Sequence, residues 1–529
     1  MTGAEEAVTL AGRVVDGAVH ALAAAGGIDA NQLVAYDLAH ATAGVATARA
    51  MLGYGAKGEV EQRLTDAFAA DVLADLSGRI CGREDQWGVR HGWLDPATGF
   101  LRAHRDPAFL ASLAGEQGPW HLDEDLELAR QTFQRFARER VRPHAEHVHR
   151  TNGDVPEEVI DGLADLGGFG LSVPAAYGGA AESGEHDYMA MVVATEELSW
   201  GSLGIGGSLI TRPEILTRAL VRGGTEEQKR RWLPLLASGE RIVAVAVTEP
   251  DHGSDVAGLT TAAVPVAGGW LISGVKTWCT FAARADVLTL LARTDPDRSA
   301  AHRGLSLFVV EKPQADGRGF LLVQEPDAGG YSPGGGRLEG RPIDTIGYRG
   351  MHSYELAFDR WFVPGENLVG GPDGQGKGFY LQMQGFENGR LQTAARALGV
   401  MRAAYEAALD YAANRTVFGS RILDFQLTRS KLGRMAAVMQ ATRQFCYQVA
   451  RSMARGEGRL EASMVKASAC RAAEWATREA MQIHGGMGYA EEFPVSRYFV
   501  DARVLSIFEG ADETLALKVI ARALLERDG

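Results

Sequence analysis

The stretch that decides the fold is residues 243–280, which reads VAVAVTEPDHGSDVAGLTTAAVPVAGGWLISGVKTWCT. Short runs of apolar and β-branched residues alternate here with turns rich in glycine, proline and aspartate. Such runs predict β-strands, because β-branched side chains pack well on a pleated surface. The pattern extends over residues 241–363, which predicts a β domain.

Helical patterns flank this β region on both sides, with apolar residues at helical spacing. An alanine-rich segment at residues 5–82 predicts three helices, and residues 122–239 predict at least three more. Residues 87–120 contain Pro96, Pro107 and Pro119, so we predict a linker there. The long helical stretches that predict a C-terminal bundle of four antiparallel helices lie at residues 380–415, 424–454, 460–484 and 512–527.

The predicted fold class is therefore α+β and mostly α. It comprises an N-terminal helical extension with its linker, a helical domain, a β-barrel-like middle domain and a C-terminal four-helix bundle. The predicted domain ranges are residues 1–120, 121–240, 241–370 and 371–529.

Composition excludes several classes of function. The net charge of −13 offers no basic face for nucleic acid or anionic lipid. The four cysteines have no metal-ligand spacing, and we expect all four to be packing residues in a reducing compartment; they are Cys81, Cys279, Cys446 and Cys470. The start of the chain lacks the cationic end of a signal peptide, and we expect no apolar run near the ~18 residues of a membrane span. These features predict a soluble, cytoplasmic protein without a metal or a membrane partner.

A second informative patch is Phe508-Glu509-Gly510, near the end of the chain. It places one carboxylate beside an aromatic ring and a flexible hinge. A general base that removes a proton from carbon needs such a setting in a dry cleft. The alternative is a surface glutamate that precedes a helix.

Several motifs follow one another in a fixed order along the chain. They are TEPDHGSD at 248–255, WCT at 278–280, RTVFG at 415–419, DFQ at 424–426, QIHGGMGY at 482–489 and SIFEG at 506–510. This ordered set resembles the acyl-CoA dehydrogenase family over about residues 122–526. The resemblance implies an FAD enzyme that oxidises an acyl-CoA thioester between Cα and Cβ and passes electrons to an electron-transfer flavoprotein.

The resemblance also implies a flavin pocket. Trp278 would supply an apolar plane, and Thr248 and Thr280 would supply hydroxyl donors at the reactive edge of the flavin. Ser254 would lie on the phosphate or substrate side of the same loop. The alternative is an ordinary strand-turn-strand with a core tryptophan.

A second set of residues would bind the diphosphate and adenosine of FAD in a neighbouring subunit, which implies a homodimer or a tetramer. The set consists of Arg415, Phe418, Gln426, Gln482, Gly485 and Gly486. Glycines let backbone amides approach phosphate, and arginine adds a fork of donors.

Glu509 is the predicted base, with the Cβ hydrogen leaving as hydride to the flavin. Some family members carry the base on a bundle helix, at the position that is Gly389 here, so Glu509 has no rival there. Arg390 and Glu387 share a helical face that the resemblance directs toward the base and the substrate. An isolated pair of this kind is usually a solvated salt bridge.

Within the family, the chain resembles the members that convert (2S)-methylsuccinyl-CoA to mesaconyl-CoA. The segments that carry this resemblance are residues 207–212, a glycine-rich insertion at 331–339, residues 346–351 and the helix at 386–399. A substrate with a free carboxylate needs a fixed cation in its apolar pocket, and Arg212 is the first candidate and Arg349 the second. Structural pairing of each arginine with a nearby acid is the alternative.

Three other functions remain open from the sequence. One is a short branched-chain acyl-CoA dehydrogenase of the isobutyryl-CoA type. Another is an acyl-CoA oxidase on the same fold, and the third is a non-catalytic acyl-CoA-binding protein.

Overall fold

The structure, a computed structural model, describes residues 3–182, 184–315, 318–326 and 334–528. The chain packs into two compact units. The first comprises Met1–Gln134, Thr195–Leu203 and Arg390–Gly529, and the second comprises Arg135–Ala194 and Gly204–Gly389. Each unit therefore joins segments that are distant in sequence.

The first unit begins with the three helices predicted for the extension: α1 (Gly3–Ala24), α2 (Gln32–Gly55) and α3 (Glu59–Ile80). Helix α1 packs on α2 and α3 through a face rich in alanine and valine. By length and composition α1 could cross a membrane, and 56% of its most apolar window is buried. Its mean hydropathy comes largely from alanine, and Arg13 and Asp16 interrupt the apolar residues, so the helix contains no unbroken apolar run of that length.

The predicted linker is partly wrong. It contains two short helices, α4 (Thr98–His104) and α5 (Pro107–Ser112). Pro107 occupies the first turn of α5, where its missing N–H removes no helical hydrogen bond. The side chain of Asp106 caps α5 by accepting hydrogen bonds from the Ala108 and Phe109 amides. Pro96 and Pro107 therefore stand in the first turns of helical segments, whereas Pro119 lies outside any helix.

Helices form the remainder of the first unit. They are α12 (Gly378–Asn414), of which the part from Arg390 belongs here, α13 (Gln426–Ala454), α14 (Arg459–His484), α15 (Gly486–Tyr489), α16 (Pro494–Leu505), α17 (Asp512–Thr514) and α18 (Arg522–Asp528). Helix α16 was not predicted. A π-helical stretch, Leu515–Ala521, joins α17 to α18, so the predicted last helix exists in three pieces. Helix α14 packs against α13 and α16.

A buried ionic cluster lies inside the first unit. Glu196 and Glu197 are fully buried, and so are Arg402 and Arg443 to within a few per cent. Arg402 donates to Glu197 Oε1 at 2.8 Å, and Arg443 donates to Glu196 Oε1 at 2.8 Å. The guanidinium carbon of Arg443 also lies 4.0 Å from the centre of the Trp120 ring. Buried charges are tolerated when they are paired and hydrogen-bonded in this way.

Helices also make up the amino-terminal part of the family-like region. They are α6 (Glu124–Phe136), α7 (Arg142–Thr151), α8 (Glu157–Asp165), α9 (Glu185–Gly201), α10 (Thr211–Gly223) and α11 (Glu226–Ala237). Helix α11 starts at a capping box in which Thr225 and Gln228 exchange hydrogen bonds. The prediction of three or more helices is confirmed.

One mixed sheet of eight strands occupies the second unit. The strands are β1 (Val243–Ala246), β2 (Ala262–Val266), β3 (Gly269–Thr280), β4 (Val287–Arg293), β5 (Leu305–Glu311), β6 (Phe320–Val323), β7 (Arg337–Ile343) and β8 (Ser353–Pro364). Their order is β1-β4-β2-β3-β8-β7-β6, with β5 beside β4. Strand β4 is parallel to β1 and β2, and the other pairings are antiparallel. Of the insertion at 331–339, residues 331–333 lie outside the described part of the chain, and residues 337–339 begin β7.

The cysteines follow the prediction only in part. Cys279, Cys446 and Cys470 are buried, but Cys81 is exposed. Cys81 follows the last residue of α3, where the chain leaves the packed helix. Burial raises the pKa of the Cys279 thiol to about 12, which suits a packing residue.

Candidate active site

Glu509 lies in a tight turn between α16 and α17. Its backbone has a φ of 55°, which is unusual for a residue with a side chain, and Gly510 follows with a φ of 100°. A Cβ added to Gly510 would lie 2.9 Å from a methyl carbon of Leu515, so the turn requires glycine. Local strain of this kind concentrates at functional sites.

One oxygen of the Glu509 carboxylate is fixed and the other is not. Arg396, on α12 and fully buried, donates from Nη2 to Glu509 Oε1 at 2.9 Å. The same nitrogen donates to Thr393 Oγ1 at 2.6 Å. Glu509 Oε2 is buried and has no hydrogen-bond partner among the described residues. The site thus presents one buried oxygen, without a hydrogen-bond partner among the described residues, as a candidate proton acceptor.

Two further contacts shape this turn. The Arg396 guanidinium carbon lies 4.8 Å from the centre of the Phe508 ring, a cation–π contact. Lys466, on α14, donates from Nζ to the Gly510 carbonyl at 2.7 Å. Burial lowers the pKa of Lys466, and the nearby carboxylates of Glu509 and Asp512 oppose that shift. Arg396 on α12 and Lys466 on α14 therefore hold the Glu509–Gly510 part of the turn in place.

Sequence reasoning singled out Arg390 beside the base, whereas the guanidinium that contacts Glu509 belongs to Arg396. Arg390 donates from Nη1 to Ser463 Oγ at 3.1 Å. Glu387 is half-buried on α12, three residues before Arg390. Arg396 lies in an apolar run of that helix, and an arginine amid alanines was the one signal that could have identified it.

The Thr248-Glu249-Pro250 turn follows β1, as predicted, and is organised by a buried ion pair. Lys276 donates from Nζ to Glu249 Oε1 at 2.9 Å, and the amides of Thr260 and Thr261 donate to the same carboxylate. Burial alone would raise the pKa of Glu249, but Lys276 and these hydrogen bonds lower it to about 2. Glu249 thus fixes the turn in which Thr248, itself half-buried, is held.

A β-bulge in β3 places Trp278. The pairing of β3 with β8 shifts register between Lys276 and Cys279, and Trp278 has a φ of 57°. A bulge redirects the side chain that it carries, and the indole of Trp278 is 56% exposed. The Thr277 amide donates to the Thr248 carbonyl at 2.8 Å and ties the bulge to the preceding turn. Trp278 is therefore not the core tryptophan of the alternative interpretation.

The other predicted residues of this region lie close along the chain. Thr280, at the end of β3, is buried, and its hydroxyl lies 3.1 Å from that of Ser353. Ser254 lies at an exposed position of the turn after β1. A Cβ at the neighbouring Gly253 would meet no atom within 4 Å, so the backbone there is open to a ligand.

The residues predicted to bind the diphosphate and adenosine are all exposed on the first unit. They are Arg415, Phe418, Gln426, Gln482, Gly485 and Gly486. Phe418 is 99% exposed in a turn between two short strands, β9 (Thr416–Val417) and β10 (Ser420–Arg421). A Cβ at Gly485 or Gly486 would meet no atom within 4 Å. Both glycines therefore offer an open backbone, as a phosphate needs.

Arg212 and Arg349 differ in their partners. Arg349 donates to two backbone carbonyls, those of His149 at 2.8 Å and Thr345 at 3.1 Å. Arg212 is 7% exposed and donates to the Ser208 carbonyl at 3.2 Å. Its guanidinium carbon lies 5.8 Å from the Tyr348 ring, and no carboxylate of the described residues forms an ion pair with it. Arg212 is thus a buried cation without a counter-ion in the described part of the chain.

Comparison with known proteins agrees with this geometry. Family models described as the acyl-CoA dehydrogenase N-terminal, middle and C-terminal domains match residues 123–240, 244–361 and 376–525. (2S)-Methylsuccinyl-CoA dehydrogenase of Cereibacter sphaeroides is 41% identical over 489 residues, which are 89% of this chain and 85% of the relative. This chain belongs to the acyl-CoA dehydrogenase family.

Solved structures of the family have the same fold. Butyryl-CoA dehydrogenase from Megasphaera elsdenii superposes with a TM-score of 0.68 at 29% identity and covers 77% of this chain and 100% of its own. A glutaryl-CoA dehydrogenase from Mycobacterium smegmatis in complex with FADH2 has a TM-score of 0.66 at 25% identity and covers 77% of this chain and 95% of its own. The enzyme is an FAD-dependent oxidoreductase, and the exposed indole of Trp278 and the open backbone at Gly485 fit that cofactor.

Proposed function

We propose that the enzyme catalyses the α,β-dehydrogenation of (2S)-methylsuccinyl-CoA to mesaconyl-CoA, with Glu509 as the general base. The observation that carries the proposal is the carboxylate of Glu509: Oε1 accepts from Arg396, and Oε2 is buried without a hydrogen-bond partner among the residues that the structure describes. A buried carboxylate oxygen that accepts no hydrogen bond is free to accept the proton that leaves the substrate carbon. The assignment therefore rests on the geometry of the turn as well as on the motif.

The chain's own residues divide the chemistry between them. Glu509 Oε2 accepts the proton from the carbon next to the thioester, and Arg396 orients the carboxylate through its hydrogen bond to Oε1. Bound FAD supplies the acceptor for the hydride that leaves Cβ. Trp278 provides an apolar plane for the flavin, and the ion pair of Glu249 with Lys276 holds the turn beside it in place.

Arg212 supports a substrate with a second carboxylate. A buried cation without a counter-ion is costly, and a carboxylate from the substrate would relieve that cost. A charge-assisted pair of about 3 kcal/mol corresponds to a preference of roughly hundredfold over an uncharged branched acyl-CoA. Arg349 is the weaker candidate, because its guanidinium already donates to two carbonyls.

The direct test is anaerobic bleaching of the bound flavin by a panel of acyl-CoAs. We expect methylsuccinyl-CoA to bleach the flavin roughly a hundredfold more efficiently than isobutyryl-CoA. The Arg212→Met variant should lose this preference, while the matched Arg349→Met variant should keep it. Equal efficiency of both substrates in the unmodified enzyme would identify a short branched-chain enzyme, and failure of every acyl-CoA to bleach the flavin would exclude a dehydrogenase.

The electron acceptor and the assembly are part of the same proposal. We propose that an electron-transfer flavoprotein reoxidises the enzyme, and rapid peroxide formation in air would instead identify an oxidase. We also propose a cytoplasmic homodimer or tetramer, in which Arg415 and Phe418 of one copy contribute to the FAD site of another. The full exposure of Phe418 supports this assembly. Sedimentation as a monomer with FAD retained would contradict it.

A further inference from the structure

The turn that carries Glu509 has an anchor that sequence reasoning did not find. Asp512 lies three residues after Glu509, at the first position of α17, and its amide donates to the Ser506 carbonyl at 3.1 Å. This hydrogen bond closes the loop 506–512 around the base. The position of Asp512 therefore determines where the carboxyl-terminal end of the turn lies.

The partners of the Asp512 side chain come from the N-terminal extension. Tyr36, on α2, donates from its hydroxyl to Asp512 Oδ2 at 2.6 Å. His40, one turn later on the same helix, has Nε2 at 3.2 Å from that oxygen. Arg471, on α14, donates from Nη1 to the Tyr36 hydroxyl at 2.8 Å and lies 3.4 Å from Asp512. Three side chains thus converge on one carboxylate.

The charges and hydrogen bonds around Asp512 stabilise its ionised carboxylate. Burial would raise the pKa of Asp512, but His40, Tyr36 and Arg471 hold it well below its usual range. Burial and the bond to Asp512 raise the pKa of Tyr36 to about 12, so the tyrosine remains a donor. Helix α2 also packs along α13, α14 and the π-helical stretch Leu515–Ala521, which fixes the positions of Tyr36 and His40.

The extension lies outside the matched family models, the first of which begins at residue 123. We propose that α2 of the extension positions the general base, with Tyr36 and His40 as positioning residues that act on Glu509 through Asp512. Asp512 fixes the end of the turn, Gly510 transmits that constraint, and Lys466 and Arg396 complete the support from the bundle. The inference rests on the proposed role of Glu509 and assigns a function to a segment that the matched family models do not cover.

The test uses the full-length holoenzyme and measures single-turnover flavin reduction by methylsuccinyl-CoA, together with its pH profile. We expect Tyr36→Phe combined with His40→Ala to lower the maximal reduction rate by about ten- to a hundredfold with little change in substrate affinity, because the base is misplaced. His40→Gln should retain most of the rate, since the glutamine keeps a polar side chain beside Asp512. The matched control is Tyr54→Phe, which removes another α2 hydroxyl that contacts the Pro119 carbonyl and Gln440.

The outcomes separate this inference from the proposed function. Suppose that methylsuccinyl-CoA bleaches the flavin of the unmodified enzyme but not that of Glu509→Gln. If the double variant then reduces its flavin at the normal rate, the positioning role is overturned. An equal loss of rate in Tyr54→Phe would also overturn it, because the effect would then follow general loosening of the extension. If no acyl-CoA reduces the flavin of the unmodified enzyme, the proposed function is refuted instead. Faster amide hydrogen exchange in residues 506–512 of the double variant, with Tyr54→Phe unchanged, is the expected independent signature.

Discussion

Two sites in the first unit pair carboxylates with buried arginines but differ in how their hydrogen bonds are completed. In the buried cluster, Arg402 and Arg443 donate to both oxygens of Glu196 and of Glu197. In the Glu509 turn, Arg396 donates to one oxygen, and the other has no hydrogen-bond partner within the described ranges of the chain. The difference teaches that saturation marks a structural pair, whereas an open, buried oxygen marks a site prepared for a substrate.

The largest expected effect is on catalysis at the open site. Replacing Glu509 with glutamine removes the proton acceptor but keeps the shape of the side chain. We expect the rate of flavin reduction by methylsuccinyl-CoA to fall by about 10³- to 10⁴-fold. Because the buried Arg396 loses its counter-charge, the melting temperature should fall as well, so the rate is measured per folded molecule. Residual reduction within tenfold of normal would show that another group takes the proton.

The next effect is on stability at the saturated site. Glu197→Gln leaves Arg402 charged and buried, so we expect a loss of about 3–5 kcal/mol in the free energy of unfolding. Denaturant unfolding measures this change. Flavin reduction per folded molecule should remain within a few-fold of normal. A variant that is fully stable but slow would reverse the roles assigned to the two sites.

A third prediction concerns the pH dependence of the Glu249–Lys276 pair. Because the pKa of Glu249 is about 2 in the folded state, against an ordinary value near 4.5, its stabilising contribution is present above about pH 4.5 and is lost as the pH falls toward 2. The contribution is on the order of 3 kcal/mol. Comparison of unfolding between pH 7 and pH 2 should show the Glu249→Gln variant weaker at neutral pH and equal to the parent near pH 2.

The control for that experiment is Glu249→Gln combined with Lys276→Met, which removes both charges. A buried pair replaced by apolar or neutral groups often leaves stability unchanged. We therefore expect the double variant to recover much of the neutral-pH stability. A difference between parent and single variant that stays constant with pH would contradict the assigned ion pair.

The smallest effect is expected at Cys81, the exposed thiol. Alkylation by iodoacetamide should modify Cys81 in the native enzyme and spare the three buried cysteines, because their sulfurs are inaccessible. Peptide mass mapping identifies the modified residue. Flavin reduction should be unaffected, and a Cys81→Ser variant should take up no label without denaturant.

The order of helices and strands could be predicted because it follows from local periodicity. The runs around Val243 and the helices of the extension carry patterns that burial on one face imposes. The short helix at Pro107 was missed, because proline breaks a helix in its interior and favours its first turn, and the sequence alone did not reveal which position applied. The membrane-length hydropathy of Gly3–Ala24 was missed because alanines separated by charges do not form a visible apolar run.

The site residues that belong to a sequence motif could be predicted, and those whose role depends on packing could not. Glu509 and Trp278 belong to such motifs. Arg396 and Asp512 acquire their roles from contacts across 113 and 476 positions of chain, to Glu509 and Tyr36 respectively. No periodicity indicates which of many arginines on a long helix will meet one carboxylate, so their roles had to be read from the structure.

The one-sided support of Glu509 has a stereochemical consequence. With Oε1 held by Arg396, the carboxylate cannot swing to present either oxygen, and the accepting lone pair approaches from a single direction. Mirror-image substrates would present their hydrogen on opposite sides of the carbon. The enzyme should accordingly consume only half of a racemic thioester and leave the other enantiomer untouched.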